Sequence, residues 1–530
     1  MDSTFSPVSA RRRGVILLAV CLAALALPLS FAGGAVATPA IGRDLAGGPV
    51  AMNWITNAFM LTFGSFLMAA GALADQFGRK RIFTIGVGGF TLFSAALGFA
   101  PTILAVDLLR AAQGIAAAAA LSGGTAALAQ EFDGHARTRA FSLLGTTFGI
   151  GLAFGPVLAG LLIERFGWRA IFTTGAVAGA LSLWFGVPRM RESRDPNAAG
   201  LDWAGTTAFT GALSLFTFGV IQAPESGWAS PLVVGLLAGA AVLAAGFVAI
   251  EARVARPMLD LSLFRYPRFV GVQVLPIATC YCYIVLLVVL PLRFIGIDGY
   301  RELDAGLLMM ALSAPMLVVP LVAATLTRWL SAGVISGLGL LLAAAGLYWL
   351  STALDHGAGR AAIGPMLAIG IGAGMPWGLM DGLSISVVPK ERAGMATGIF
   401  STTRVAGEGI ALATVSAILA ALTQTHVRRA AALAEGAQAH LAEAAARLAA
   451  GDLAHAAGGL PGVARDVLQQ SYRSAFGSLL EGLTVVTLLC AVAVFVFLSR
   501  VRVGEAGAAN ERRAETKPAG RPLVLERECR

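Results

Sequence analysis

Charge is scarce in this chain. Of 530 residues only 13% are Asp, Glu, Lys or Arg, against 57% hydrophobic, and the mean hydropathy is +0.76. Soluble domains carry about a quarter charged residues. No water-soluble core could hide so much apolar surface, so the solvent for most of the chain is lipid. Alternation of apolar and polar residues is missing too: the apolar runs are continuous and of membrane length, about 20 residues, which excludes barrel strands. The five cysteines (Cys21, Cys280, Cys282, Cys490 and Cys529) form no C-x-x-C. Cys280 and Cys282 are one residue apart, which suits neither a redox pair nor a metal knuckle. There is no GxxxxGK[ST] loop, so a phosphate-cradling ATP site of that kind is excluded. Arg11-Arg12-Arg13 precede an apolar run as in a signal peptide, but no small-residue cleavage site follows, and the run is expected to stay as the first span.

What is present is a series of long apolar runs. Fourteen candidate spans lie between residues 14 and 499, and the expected fold is an all-α integral membrane protein. The chain divides into an N-terminus (1–13), a six-helix half (14–188), a linker with two extra spans (189–268), a second six-helix half (269–499) and a tail (500–530). The second half contains a long outer loop (422–474), rich in Ala, with His440, Glu443 and Arg447 at helical spacing; one or two amphipathic helices over the outer mouth are expected. The tail is rich in Gly, Arg and Glu and is expected to be disordered. Orientation follows from the cations. With the N-terminus cytoplasmic, the short inner segments hold eighteen Lys and Arg and the short outer loops six, the asymmetry of the positive-inside rule. An even span count returns the C-terminus to the cytoplasm. The net charge of +9 is therefore topological, and no nucleic-acid partner is expected.

Four segments carry chemistry. Between the second and third spans, Asp75 closes one helix, Gly78 permits a tight turn, and Arg79, Lys80 and Arg81 hold the loop inside. In the fifth span, Gly145, Gly149, Gly151, Gly155 and Gly160 let a neighbouring helix approach, and Pro156 kinks the helix. In the fourth, Arg110 stands within the membrane, where an isolated cation costs ~2.5–3.5 kcal/mol on insertion scales; Asp107, three residues earlier, is its expected partner. In the thirteenth, Arg404 and Glu408 lie one turn apart, and Asp381 falls in the inner part of the twelfth. A carboxylate held among apolar walls can change protonation near neutral pH. Asp107, Arg110, Asp381, Arg404 and Glu408 are thus candidates for proton coupling or substrate binding, with static ion pairing as the alternative for Arg404 and Glu408. Trp377, Tyr281 and Tyr283 are candidate cavity aromatics for aromatic or cationic substrates.

In order and spacing these segments resemble the fourteen-span drug:proton antiporters of the major facilitator superfamily, the EmrB/QacA-like group. The likeness covers about residues 14–500 and includes the extra spans 204–222 and 231–250, the segment Pro257–Phe269, and Trp54–Phe59. The resemblance implies a major facilitator fold of two six-helix halves plus two inserted central helices. It implies that Asp75, Gly78, Arg79 and Arg81 form a gate latch, and that Gly151, Gly155, Pro156 and Gly160 form the antiporter motif. One departure stands out. Many members carry an Asp in the first span nine residues before a Pro; here that position is Ser30, and the usual Asn is Ala35. The implied function is proton-coupled export of small organic molecules across a bacterial cytoplasmic (inner) membrane, with no cofactor beyond the proton gradient. Alternatives are a dedicated exporter of an endogenous metabolite such as a siderophore, and a non-transporting sensor or partner subunit. A periplasmic adaptor is a further candidate partner, with the outer loop as its docking point.

Overall fold

The computed structural model describes residues 7–132, 134–194, 202–254, 261–355, 359–388, 393–430 and 438–499, and among them every regular element is helical. The N-terminal half comprises α1 (Pro7–Leu45), α2 (Pro49–Phe77), α3 (Arg79–Leu97), α4 (Ile103–Glu131), α5 (Gly134–Phe166) and α6 (Arg169–Phe185). The inserted pair is α7 (Trp203–Ser226) and α8 (Pro231–Glu251). The C-terminal half comprises α9 (Pro267–Ile297), α10 (Glu302–Leu326), α11 (Ala332–Asp355), α12 (Arg360–Ser384), α13 (Ala393–Ala430), the short α14 (Gln438–Ala449) and α15 (Leu453–Gly459), and α16 (Arg465–Leu498).

Among the described residues, 13 helices are long and apolar enough to cross a membrane. The expectation of fourteen is thus not fully met. The exception is α3, 19 residues whose first turn is Arg79-Lys80-Arg81. Those cations lower its apolarity, yet it packs along α4 and α6 inside the bundle. Gly86 on α3 lies so close to the Ala119–Ala120 backbone of α4 that a Cβ would meet it at 2.2 Å. Such small-residue contacts replace the hydrophobic effect as the glue between helices in lipid.

Three boundaries differ from the sequence reading. α1 starts ahead of residue 14, at Pro7, and runs through Pro28 and Pro39 to Leu45. The outer loop is shorter than 422–474, because α13 continues to Ala430 and α16 starts at Arg465, with α14 and α15 between them. The tail 500–530 lies outside the described residues, as do parts of the linker.

The bundle has two ends: a basic end, where α1 starts and α16 finishes, and a far end. The halves meet chiefly along two seams, with α1 also touching the far part of α9. At one, α5 packs on α10; at the other, α2 packs on α13. α7 lies over the second seam, touching both α2 and α13. Trp54, Val220, Ile221, Ala413 and Ala417 form one apolar cluster there, and Leu61, Leu213 and Ala406 another.

Candidate functional site

At the basic end the loop after α2 is tied on several sides. Gly78 has φ 118°, a conformation that disfavours side chains, and a Cβ there would strike the Glu192 carboxylate at 2.5 Å. Arg79 donates to Asp75 Oδ1 at 2.9 and 3.0 Å and to Gln130 Oε1 at 2.5 Å. Its backbone N–H donates to the Ser193 carbonyl at 3.0 Å. Asp75, Gly78 and Arg79 therefore come together, whereas Arg81 stays exposed and joins no ion pair among the described residues.

At the far end the fifth-span motif has two faces. Gly151 and Gly155 lie against α1, at Pro28 and Ala32. Gly160 meets the Glu302 carbonyl of α10, where a Cβ would be at 2.4 Å, and Gly306 of α10 meets the Pro156 carbonyl at 2.6 Å in the same sense. Two ion pairs cross between the halves beside this contact, Arg43–Glu302 at 2.6 Å and Arg301–Glu164 at 3.9 Å. The latch residues and Gly160 thus fall at opposite ends of one bundle.

Inside the N-terminal half Arg110 is fully buried, and its partners are neutral. Nε donates to the Ile55 carbonyl at 2.8 Å, and Nη1 to Ser30 Oγ at 2.9 Å and Gln113 Oε1 at 2.7 Å. Gln113 in turn donates to Ser94 Oγ at 2.7 Å. Phe59 and Phe172 cover the guanidinium at 4.4 and 5.8 Å. The expected Asp107–Arg110 ion pair is not formed: the guanidinium reaches across to α1 and α2, and Asp107 Oδ1 is buried without a hydrogen-bond partner among the described residues.

In the C-terminal half the alternative of a static Arg404–Glu408 pair is not what forms. Arg404 bonds not to Glu408 but to Asp381, at 3.4 Å. The Asp381 side chain is 64% exposed, so it is not a buried carboxylate. The cause is local: α12 is broken after Pro376 and Trp377, and its last turns swing toward the basic end of α13. Glu408 remains buried, 9% exposed, and makes no ion pair among the described residues. It sits between two inter-half contacts, Ala406 against Gly64 of α2 and Gly409 against Met60 and Leu61. Cys280 lines the same stretch, 3.8 Å from the Arg404 carbonyl. Tyr283 and Trp377 meet edge to face at 6.4 Å; Tyr283 is fully buried, while Tyr281 and Trp377 are partly buried. α9 is locally π-helical at Cys280–Ile284, around both tyrosines, a distortion common at functional sites.

One cluster was not anticipated. Arg293, expected in an outer loop, is fully buried in a second π-helical turn, Leu292–Ile297. It bonds to Asp298 Oδ2 at 3.2 Å and to the Leu354 carbonyl at 3.1 Å. Arg473 of α16 holds the other oxygen of Asp298 at 3.0 Å, and Gln469 donates to the Ile297 carbonyl at 2.7 Å. The only trace in the sequence is an arginine two residues after Pro291 in an otherwise apolar run.

The family model described as Major Facilitator Superfamily matches residues 18–412. The chain belongs to that superfamily. Multidrug resistance protein Stp of Mycobacterium tuberculosis is 33% identical over 388 residues, 73% of this chain and 72% of the relative. The tetracenomycin C resistance and export protein of Streptomyces glaucescens is 29% identical, covering 76% and 75%. A probable actinorhodin transporter of Streptomyces coelicolor is 32% identical, covering 71% and 67%. A bacterial homologue of the lysosomal transporter Spinster, solved inward-facing and unoccupied, superposes with a TM-score of 0.63 at 15% identity, over 93% of this chain and 97% of that one. This facilitator is a secondary transporter of the drug:proton antiporter family, not an enzyme, and a small-molecule exporter.

Proposed function

We propose that this facilitator drives small amphipathic organic molecules out of the cytoplasm in exchange for protons, by alternating access between its halves. The observation that carries the coupling is Glu408, a buried carboxylate with no ion pair among the described residues, flanked by the two points where α13 touches α2. A proton gained or lost there changes the charge on the seam along which the halves move. In this reading the membrane is the bacterial cytoplasmic (inner) membrane, both termini are cytoplasmic, and the far-end contact of α5 with α10 is the outer gate. No cofactor is required. A potential of 150 mV is worth ~3.5 kcal/mol per proton, which supports a gradient of a few hundred-fold, roughly. A periplasmic adaptor, where the host has a second membrane, would meet the protein at α14 and α15.

A second reading has one observation in its favour: several relatives are named for a single antibiotic, tetracenomycin C, actinorhodin or cephamycin. On that ground the cargo is one endogenous metabolite rather than a broad set. Siderophores, the example given above, are not among those named cargoes.

The test is proton release from acidified inside-out vesicles carrying the protein, on adding organic cations, neutral antibiotics and iron-free siderophores in turn. Release is expected with at least one class, broad response marking a multidrug exporter and a single response a dedicated one. Glu408→Gln is expected to abolish the release while leaving ligand binding in place. Full proton-driven transport by that variant would remove Glu408 from the mechanism.

A further inference from the structure

The far end carries an open cavity of about 480 Å³ between the last turn of α13 and the first turns of α16. Small-molecule sites run from roughly 300 to 1,000 Å³. His426 and Arg429 stand on one wall, and Asp466, Gln470, Ser471 and Ser474 on the other. Ser471 is 4% exposed, and its Oγ has no hydrogen-bond partner among the described residues. A buried hydroxyl left unpaired costs stability, and this one lines a space that a ligand can enter. Arg429 and Asp466 face the same space, both exposed, yet form no ion pair among the described residues. A cation and an acid are thus held apart across an opening.

What lies below the cavity says what fills it. On α16, Ser474 continues at helical spacing through Glu481 to Val485, Leu489, Val492 and Val496, an exposed stripe that faces acyl chains. On α13, Arg429 stands three turns above Ile418, which is exposed as well. α16 has 34 residues, and about 20 suffice to cross the hydrocarbon. Counted from Leu498, Glu481 falls at the edge of the hydrocarbon and Ser474 in the headgroup layer. We propose that the cavity binds a phospholipid of the far leaflet whose headgroup joins a phosphate to a primary amine. Arg429, Ser471 and Ser474 take the phosphate, and Asp466 takes the ammonium. The order of charges selects this headgroup: Asp466 above, Arg429 between, Glu481 below. A headgroup with only a phosphate meets two acids for one cation, and a quaternary ammonium has no N–H to donate to Asp466. The bound headgroup ties the end of α13, the helix that carries Glu408, to α16. The site is independent of the cargo.

The experiment is calorimetric titration of the delipidated full-length protein in detergent with dioctanoyl lipids. Phosphatidylethanolamine is expected to bind ~5-fold more tightly than phosphatidylcholine or phosphatidylglycerol of the same chains, the upper end for one exposed charge pair. Glycerophosphoethanolamine, the headgroup without chains, is expected not to bind. Binding of that compound as tight as the lipid's would mark a site for a soluble zwitterion and overturn the lipid assignment. Arg429→Gln is expected to weaken phosphatidylethanolamine binding by a similar ~5-fold, and Asp466→Asn to erase the preference over phosphatidylglycerol. Arg428→Gln, next in the chain but outside the cavity lining, is expected to change neither. Equal binding of the three lipids, tighter binding of phosphatidylglycerol, or the same loss in Arg428→Gln as in Arg429→Gln means diffuse attraction to surface charge and overturns the proposal. The substituted side chains are exposed, and the wild-type ranking decides even where a variant misfolds.

Discussion

Arg110 and Arg293 are both fully buried, and they are held in opposite ways. Arg293 lies at the far end, paired with Asp298, which Arg473 grips from the other side. Phe476 covers its guanidinium at 4.8 Å. Arg110 lies within the N-terminal half among a hydroxyl, an amide, a carbonyl and two phenyl rings, with no acid in ion-pair reach among the described residues. A buried ion pair fixes geometry, because breaking it strands a charge. A buried cation held only by neutral hydrogen-bond partners depends instead on several weaker bonds from different helices. One arginine is fixed by charge, the other by neutral donors and acceptors.

That contrast can be broken in graded steps. Asp298→Asn should have the largest effect, leaving two arginines facing no carboxylate; a loss of about 3–5 kcal/mol is expected, read as a lower melting temperature in detergent. A wild-type melting curve would show that the pair at the far end is dispensable. Ser30→Ala removes one charge-assisted hydrogen bond from Arg110 and should cost about 1.5–3 kcal/mol. Its melting temperature should fall less than that of the Asp298 variant, and the reverse ranking would erase the distinction between the two ways of holding a buried arginine. Gly34→Ala crowds Nη2 and should cost about 1–3 kcal/mol as overpacking, read as a lower melting temperature in detergent. Arg43→Gln should matter least for stability, about 0.2–1 kcal/mol, because Arg43 is 59% exposed in its pair with Glu302. Its effect should appear instead as easier labelling of a cysteine placed near Gly160.

What the sequence revealed was whatever is local. The loop of Asp75, Gly78 and Arg79 was legible because turn geometry and charge placement are set within a few residues. The α5 glycines were legible as a packing face, although which neighbours they meet, α1 and α10, is a tertiary fact. Ion pairing was read less well. Helical spacing put Asp107 with Arg110 and Glu408 with Arg404, yet long guanidinium side chains reach other helices, to Ser30 in one case and Asp381 in the other. Asp381 seemed buried by its apolar context, and the break after Trp377 carries it out. Arg293 reads as a loop cation because nothing in sequence announces that the helix continues past Pro291 as a π-turn.

The position of α7 has a consequence for traffic through the lipid. By lying across the junction of α2 and α13, it walls off one flank of the molecule. On the opposite flank no described helix covers the junction of α5 and α10, and Phe154, Leu161, Leu307 and Val318 are bare there. A greasy cargo dissolved in the leaflet therefore meets a different face on each flank: α7 on one, the two halves' own closed junction on the other.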